Sequence, residues 1–393
     1  MFSHRVGRNQ APNPLSLALE ARKASGAPLL DLTESNPTRS GIRYEGKEIF
    51  RALMKPGSLL YQPQPQGLLS ARQAVADYYG ERGVSVEADS LILASGTSEA
   101  YGCLFKLLAN PGDEILVPVP GYPLLEVLTE LESVCQVPYR LLYEEPRGWR
   151  IDMERLRNTI SNRTVAIVSV SPNNPTGSFL KVDELAELGE LCREFGLALI
   201  VDEVFADYGR GTDTERVRSA ATHRTALTFT LNGFSKVVGL PQLKLAWILV
   251  SGPEALCRQA REHLEYITDA YLTVATPIQH AASDILRQRG MIQSQILSRI
   301  DANGEFVESR MGLVPSCRLL RREGGWYAVL RLPDDWADEE VALQSLEEDG
   351  VLVHPGYFYD FPSGSFLVIS LLTPVKTFRE GVMSLAARLR ARA

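Results

Sequence analysis

Short apolar runs alternate with segments in which apolar residues recur at helical spacing along most of the chain. Residues 67–83 carry such a stripe, which predicts an amphipathic helix. The runs SLILA, EILVPVP, VAIVSVS and LALIVDEVF are short and nearly continuously apolar, which is typical of strands buried on both faces. Strands of this kind, alternating with helices, predict an α/β fold with a mostly parallel sheet.

The pattern changes after about Pro277, where long helical periodicity gives way to three more strand-like runs. These are WYAVLRL, VLVHP and FLVISLL, with the helical segment DEEVALQSLEEDG between the first two. We expect a smaller α+β unit here, and we expect the N-terminal segment to pack with it because domain termini often lie close together. The predicted domains are a large one at 46–276 and a small one formed by 1–45 and 277–393.

The composition argues against several classes of protein. The 393 residues include 41 basic and 48 acidic side chains, a formal net charge of −7, which lacks the basic footprint of a dedicated nucleic-acid binder. The five cysteines form no CxxC pair, so neither a disulfide framework nor a zinc site is predicted. The N-terminus has no apolar signal region, and no apolar run approaches the length of a membrane span. We therefore expect a soluble cytoplasmic enzyme without a membrane or nucleic-acid partner.

Polar side chains follow four of the predicted strands, where ligands of open α/β sheets bind. They lie in Ser95–Ser98, in the SPNNPTG segment 171–177, at Asp202, and at Ser235 with Lys236. Each has an ordinary explanation by itself, as a helix cap, a tight turn, a solvated carboxylate or a surface lysine. Together they supply an anion cradle, an amide, an acid and an amine, the set that pyridoxal 5′-phosphate requires.

Nine motifs of the sequence resemble those of a single protein family, and they occur in the same order along nearly the whole chain. They are NPT, Tyr61 with Gly67, SGTSEA, PGDEILVPVPGYP, SPNNPTG, VDEVFADY, FSK, EGGWYAVL and HPGYFYDF. The chain resembles the fold-type I, pyridoxal-phosphate-dependent enzymes of the class I and II aminotransferase group. That resemblance implies transfer of an amino group between an amino donor, expected to be an amino acid, and a keto acid.

The resemblance also implies roles for single residues. Lys236 matches the lysine that forms the internal aldimine and then moves the substrate proton, and Asp202 matches the acid paired with the pyridine nitrogen. Asn174 matches the amide that binds the cofactor O3′, and Tyr122 matches the aromatic residue stacked on the ring.

The remaining implied contacts concern the cofactor phosphate. The matching residues are Gly96, Thr97, Ser98, Ser235 and Lys244. Tyr61 matches a tyrosine that reaches the phosphate from the neighbouring subunit, so the resemblance implies a homodimer with shared sites.

Three positions depart from the family pattern. Phe205 stands where the family has a tyrosine that hydrogen-bonds O3′, and Tyr208 is the alternative donor. Lys244 replaces an arginine and loses its bidentate geometry. Val368 stands where the family has the arginine that binds the substrate carboxylate. We expect a replacement near the NPT motif, at Ser35 and Arg39, or else a substrate without an α-carboxylate.

Two other functions remain open from the sequence. A lyase, decarboxylase or oxidase would use the same fold and cofactor. A non-catalytic pyridoxal-phosphate-binding module is disfavoured because Lys236 and Asp202 are retained and no DNA-binding segment is present.

Overall fold

A computed structural model describes residues 3–6 and 12–393. The helices are α1 (Pro14–Ser25), α2 (Gly46–Leu53), α3 (Leu69–Glu81), α4 (Thr97–Leu108), α5 (Leu124–Leu131), α6 (Met153–Thr159), α7 (Val182–Phe195), α8 (Phe234–Val237), α9 (Glu254–Asp269), α10 (Thr276–Leu286), α11 (Arg289–Met311), α12 (Asp338–Asp349) and α13 (Val375–Arg392). None of the described helices combines the length and the apolar character that crossing a membrane would require.

The strands form three sheets. They are β1 (Leu30–Asp31), β2 (Leu91–Ala94), β3 (Glu114–Val119), β4 (Cys135–Glu144), β5 (Gly148–Ile151), β6 (Thr164–Val170), β7 (Ala198–Asp202), β8 (Thr228–Gly233), β9 (Ala246–Ser251), β10 (Arg318–Leu319), β11 (Tyr327–Leu332), β12 (Val351–Leu352), β13 (His354–Pro355) and β14 (Ser365–Ser370).

The largest sheet has eight strands in the order β2-β9-β8-β7-β6-β3-β4-β5. Its five central strands, β8 to β4 in that order, are mutually parallel, whereas β2, β9 and β5 pair in antiparallel fashion. Alternate strand residues enter two different cores, as Leu91 and Leu93 join one and Ile92 joins the other. The sheet is therefore covered on both faces, and the predicted α/β class is confirmed.

The C-terminal part of the chain contains a second sheet, with the order β10-β11-β14-β13. The N-terminal segment packs with this part, because β1 pairs with β12 in parallel and Arg22 in α1 donates to the carbonyl of Leu346 in α12 at 2.9 Å. Helix α10 packs instead against α2 and α3. The division at residues 45/46 and 276/277 stays a prediction.

Two features of the large sheet differ from the sequence pattern. Strand β5 has no apolar run, since its sequence is GWRI, and it forms because a turn brings it antiparallel to β4. Strand β9 is continuously apolar like its parallel neighbours but runs antiparallel to β8. Apolar continuity reports burial on both faces, and it does not report strand direction.

Candidate active site

Lys236 lies on the one-turn helix α8, directly after the carboxyl end of β8. Its side chain is partly buried, and its Nζ lies 4.6 Å from the centroid of the Trp326 ring and 5.2 Å from that of Phe205. Desolvation lowers the pKa of Lys236 to about 8, while Asp202 acts in the opposite direction. A lowered pKa increases the unprotonated fraction of this amine near neutral pH, which is the form that a nucleophile or base requires.

Asp202 ends the neighbouring parallel strand β7 and is buried. Its carboxylate accepts hydrogen bonds from the Tyr101 hydroxyl at 3.1 Å and from the Val204 backbone amide at 3.0 Å. Burial raises the pKa of Asp202 to about 6, although these two hydrogen bonds and Lys236 lower it in part. A cationic group in the cavity would stabilise this carboxylate, as a protonated pyridine nitrogen would.

The two adjacent asparagines after β6 have different surroundings. Asn173 is fully engaged in its loop, because it accepts from the Thr176 amide and hydroxyl and donates to the Pro120 carbonyl. Asn174 borders the cavity, and its buried Oδ1 has no hydrogen-bond partner among the described residues. Asn173 thus holds the turn, while Asn174 offers a side-chain amide to a ligand.

An anion cradle lies where α4 begins. Gly96 is the N-cap residue, and Thr97 is the first helical residue. A Cβ built on Gly96 would lie 3.1 Å from the Nζ of Lys244, so a side chain at this position would crowd the ammonium. In the described ranges Lys244 has no carboxylate partner. A helix N-terminus beside an unpaired cation favours a bound anion such as phosphate.

These elements border one cavity of about 260 Å³. We call its side on the large sheet the sheet wall, formed by Thr97, Tyr122, Asn174, Asp202, Ser235 and Lys236. The sequence analysis also assigned Gly96, Ser98 and Lys244 to the cofactor, but these residues do not line the cavity. Gly96 and Ser98 flank Thr97 in the sequence, and the Lys244 ammonium lies close to Gly96.

The opposite side of the cavity is rich in hydroxyl groups. We call it the tyrosine wall, formed by Ser35, Tyr327, His354 and Tyr359. The Nδ1 of His354 lies 3.0 Å from the Tyr359 hydroxyl. Burial lowers the pKa of His354 to about 4, so its imidazole is neutral at pH 7. Within residues 3–6 and 12–393, no arginine lines the cavity.

The structure separates the two residues that the sequence analysis assigned to the substrate. Ser35 lines the cavity, whereas Arg39 is exposed and does not. Val368 is fully buried in β14, opposite Val329 on one side and His354 on the other. An aliphatic side chain therefore occupies the position where the resemblance implies a carboxylate-binding arginine.

Tyr61 lies apart from this cavity. It is 77% exposed and borders a second cavity with Glu99, Cys103 and Thr273. Within one subunit it does not reach the residues of the sheet wall.

Sequence reasoning missed Tyr101 and assigned no role to Tyr327, His354 and Tyr359. Tyr101 could have been found, because it lies one helical turn after Thr97 and so faces the same side of α4. The other three lie in motifs that were recognised, EGGWYAVL and HPGYFYDF. Nothing in their local pattern indicates that the small unit directs them into a cavity on the large sheet.

These residues fit pyridoxal 5′-phosphate. An amine with a lowered pKa, a buried carboxylate, the Asn174 side-chain amide with its N–H donors, and an unpaired cation beside a helix N-terminus meet at one cavity. Each would face a chemically matching group of that cofactor, namely its aldehyde, its pyridine nitrogen, its ring substituent O3′ and its phosphate.

Comparison with known proteins also indicates an aminotransferase. The family model "Aminotransferase class I and II" matches residues 27–381. Alanine aminotransferase of Mycobacterium bovis is 28% identical over 358 residues, which cover 88% of this chain and 82% of that protein. Glutamate-pyruvate aminotransferase AlaA of Escherichia coli K12 is 30% identical over 308 residues, covering 76% and 74%.

Solved structures agree on the fold. Alanine aminotransferase from Pyrococcus furiosus matches over all of both chains with a TM-score of 0.89 and 23% identity. An Escherichia coli aminotransferase matches with a TM-score of 0.84 and 25% identity, covering 99% of this chain and 98% of that one. A lyase, a decarboxylase, an oxidase or a non-catalytic module is not favoured, since the family and these relatives are aminotransferases. The chain belongs to the class I and II aminotransferase family and is a fold-type I, pyridoxal-phosphate-dependent aminotransferase.

Proposed function

We propose that Lys236 is the covalent attachment point and the proton-transfer base of this aminotransferase, with an amino acid as donor and a keto acid as acceptor. One observation supports this more than any other: Lys236, Asp202 and Asn174 border the same cavity at the ends of three adjacent strands. Bound pyridoxal phosphate supplies an aldehyde carbon to carry the amino group and a pyridinium ring to take up the electron pair of the substrate Cα–H bond.

The residues of the sheet wall divide the work between them. Lys236, once its amine is free, would accept the proton from the substrate Cα and hold it on Nζ for delivery to the carbon that carries the amino group. Asp202 keeps the pyridine nitrogen protonated, and Tyr101 and the Val204 amide hold its carboxylate in place. Thr97 and Ser235, with the Lys244 ammonium, hold the phosphate, so that the reacting atoms stay in register with Lys236.

A pairwise donor screen tests this function. Cofactor-loaded protein is mixed with L-alanine or with ethylamine, which differ only by the α-carboxylate, and the absorption band of the aldehyde form is followed as it converts to the amine form. We expect conversion with the amino acid and reversal by a keto acid. Conversion by ethylamine alone would instead indicate a donor without a carboxylate, and conversion by neither of these nor by other amines would contradict transamination.

We further propose a homodimer in which Tyr61 completes the phosphate site of the other subunit. The exposed neighbours Leu59 and Leu60 support a covered surface here, since three successive large apolar side chains are 55–95% exposed. The cytoplasmic location also stays a prediction.

Mixed subunits test the shared site. Lys236→Ala and Tyr61→Ala proteins are each inactive or impaired, but a mixed dimer holds one site with both native residues. After exchange at equal concentrations, about half of the dimers are mixed and half of their sites are intact, so activity should recover to about a quarter of wild type. No recovery, with mixed dimers demonstrated by mass, would contradict the role of Tyr61.

A further inference from the structure

Tyr327 is the first residue of β11 and lines the cavity from the small unit. Its side chain is buried, with 8% exposed. Burial raises the pKa of Tyr327 to about 12, although the neighbouring Ser35 and Asn174 side chains lower it in part. The phenol is therefore protonated at neutral pH and can donate its proton to a ligand in the cavity.

The ring of Tyr327 lies against Phe205. Their centroids are 6.3 Å apart at an angle of 83°, and the Nζ of Lys236 lies 5.2 Å from the Phe205 centroid. Phe205 has no hydroxyl to offer the cavity. Tyr327 therefore places a phenol beside Phe205, the position where the family has a tyrosine.

The other tyrosines near the sheet wall already have partners. The Tyr208 hydroxyl donates to the backbone carbonyl of Lys236 at 2.6 Å, so it does not supply the missing donor as the sequence suggested. The Tyr101 hydroxyl donates to Asp202, and the Tyr359 hydroxyl lies 3.0 Å from His354. Tyr122 is 52% exposed. Among the described residues, Tyr327 is the buried tyrosine of the cavity whose hydroxyl has no recorded hydrogen bond to a carboxylate, a backbone carbonyl or an imidazole.

We propose that Tyr327 is a positioning residue for the cofactor, donating to its O3′ together with Asn174 and so replacing the hydroxyl that Phe205 lacks. This inference rests on the proposed function. A hydrogen bond to the anionic form of O3′ favours that form, and the loss of a charge-assisted bond in a desolvated site disfavours it. Tyr327 thus keeps O3′ ionised and the ring fixed relative to Lys236.

The other ionisable groups at the cavity are unchanged in the Tyr327→Phe variant used in the test. The other titratable or charged groups that line the cavity are Asp202, Lys236, Tyr101, Tyr122, His354 and Tyr359, and Lys244 lies beside it near Gly96. A Tyr327→Phe change removes one hydroxyl and none of these groups.

The test is a spectrophotometric pH titration of the bound cofactor in the absence of substrate. Tyr327→Phe should raise the apparent pKa of the chromophore by about one unit or more, since a hydrogen bond to the charged form is lost. The double variant Phe205→Tyr/Tyr327→Phe should return it towards the wild-type value. Tyr357→Phe is the matched control, because Tyr357 is 40% exposed and lies outside the cavity, and it should leave the titration unchanged.

Three results would overturn the inference. The first is an unchanged titration in Tyr327→Phe, accompanied by a higher KM, which would make the hydroxyl a substrate contact. The second is an unchanged titration in Tyr327→Phe together with a lowered pKa in Phe205→Tyr, which would show that the role was vacant. The third is a double variant that keeps the raised pKa. A wild-type protein in which borohydride attaches no cofactor to Lys236 would instead contradict the proposed function itself.

Discussion

The sheet wall and the tyrosine wall face each other across one cavity, yet they come from different parts of the fold. The sheet wall is built from residues at the carboxyl ends of strands β3, β6, β7 and β8 or in the loops and short helix that follow them, and from the first residue of helix α4. The tyrosine wall is built from the N-terminal segment and from the unit after residue 320. The first wall holds a buried acid and amine, whereas the second offers hydroxyls and a neutral imidazole.

The difference shows how this fold separates two tasks. Parallel strands end at one edge of the sheet, so the cofactor residues are fixed by the same hydrogen-bond ladder that holds the core. The tyrosine wall is carried by elements that pack onto that edge from elsewhere, so its residues can change while the sheet stays the same. In the small unit, Val368 of β14 stands in place of an expected arginine, while Lys236, Asp202 and Asn174 still border one cavity.

The largest expected effect is on the sheet wall. Lys236→Ala should lower transamination by at least about 10³-fold, because it removes both the nucleophile and the proton-transfer base. Borohydride reduction of the wild-type protein should add one cofactor mass to the peptide that contains Lys236. The exposed-surface variant Lys106→Ala should keep wild-type activity. Attachment at Lys244 or Lys181 would contradict the assignment.

The second prediction concerns Asp202, whose substitution should lower activity but raise stability. Asp202→Asn should lower activity at least about 100-fold, as expected for the loss of a preorganised charge. The same variant should stabilise the cofactor-free protein at pH 8. The pKa of Asp202 is about 6 in the folded protein and near 3.8 unfolded, so the folded state holds its proton more tightly. Stability is therefore lost as pH rises from about 4 to 6, by up to about 3 kcal/mol.

Urea unfolding of cofactor-free protein measures this effect. The variant should unfold at higher urea than wild type at pH 8, by less than the full 3 kcal/mol because an amide keeps only part of the hydrogen bonding from Tyr101 and Val204. The difference should shrink at pH 4. Asp183→Asn, at a side chain that is 70% exposed, should show no such pH dependence. If Asp202→Asn lowered the free energy of unfolding equally at pH 4 and pH 8, burial of the ionised Asp202 carboxylate would not destabilise the folded protein.

The smallest expected effect concerns the substrate. The sequence-based hypothesis expects Arg39→Ala to raise the KM for a carboxylate donor at least tenfold, about 1.4 kcal/mol. The exposed position of Arg39 outside the cavity leads us to expect less than about a twofold change within one subunit's own site, as for most surface substitutions. A Ser35→Ala variant, which alters the tyrosine wall directly, provides the comparison. A tenfold rise for Arg39→Ala alone would restore the earlier hypothesis.

The sequence predicted most of the sheet wall because simple rules apply there. Asp202 and Lys236 stand directly after apolar runs, and the ends of adjacent parallel strands must meet. The motif SPNNPTG contained two asparagines with two possible roles, and the structure divides those roles between them: Asn173 holds the turn and Asn174 borders the cavity.

The tyrosine wall could not be predicted in the same way. Tyr327 follows a buried tryptophan at the start of a strand, where aromatic residues are usually core, and its position depends on how β11 packs beside Phe205. Tyr208 was a reasonable substitute for the missing phenol by sequence distance alone. Its hydroxyl turns instead to the backbone of Lys236, which only tertiary packing determines.

The aromatic surroundings of Lys236 also decide what happens to a chain that has not yet met its cofactor. With a pKa of about 8, about a fifth of this amine is neutral at pH 7.4, compared with about one in a thousand for an ordinary lysine. The property that prepares the residue for catalysis therefore exposes newly made protein to acylation and glycation by any small electrophile that enters the cavity. If pyridoxal phosphate is attached at Lys236 as proposed, it would occupy this nitrogen and shield it from such electrophiles from the time it binds.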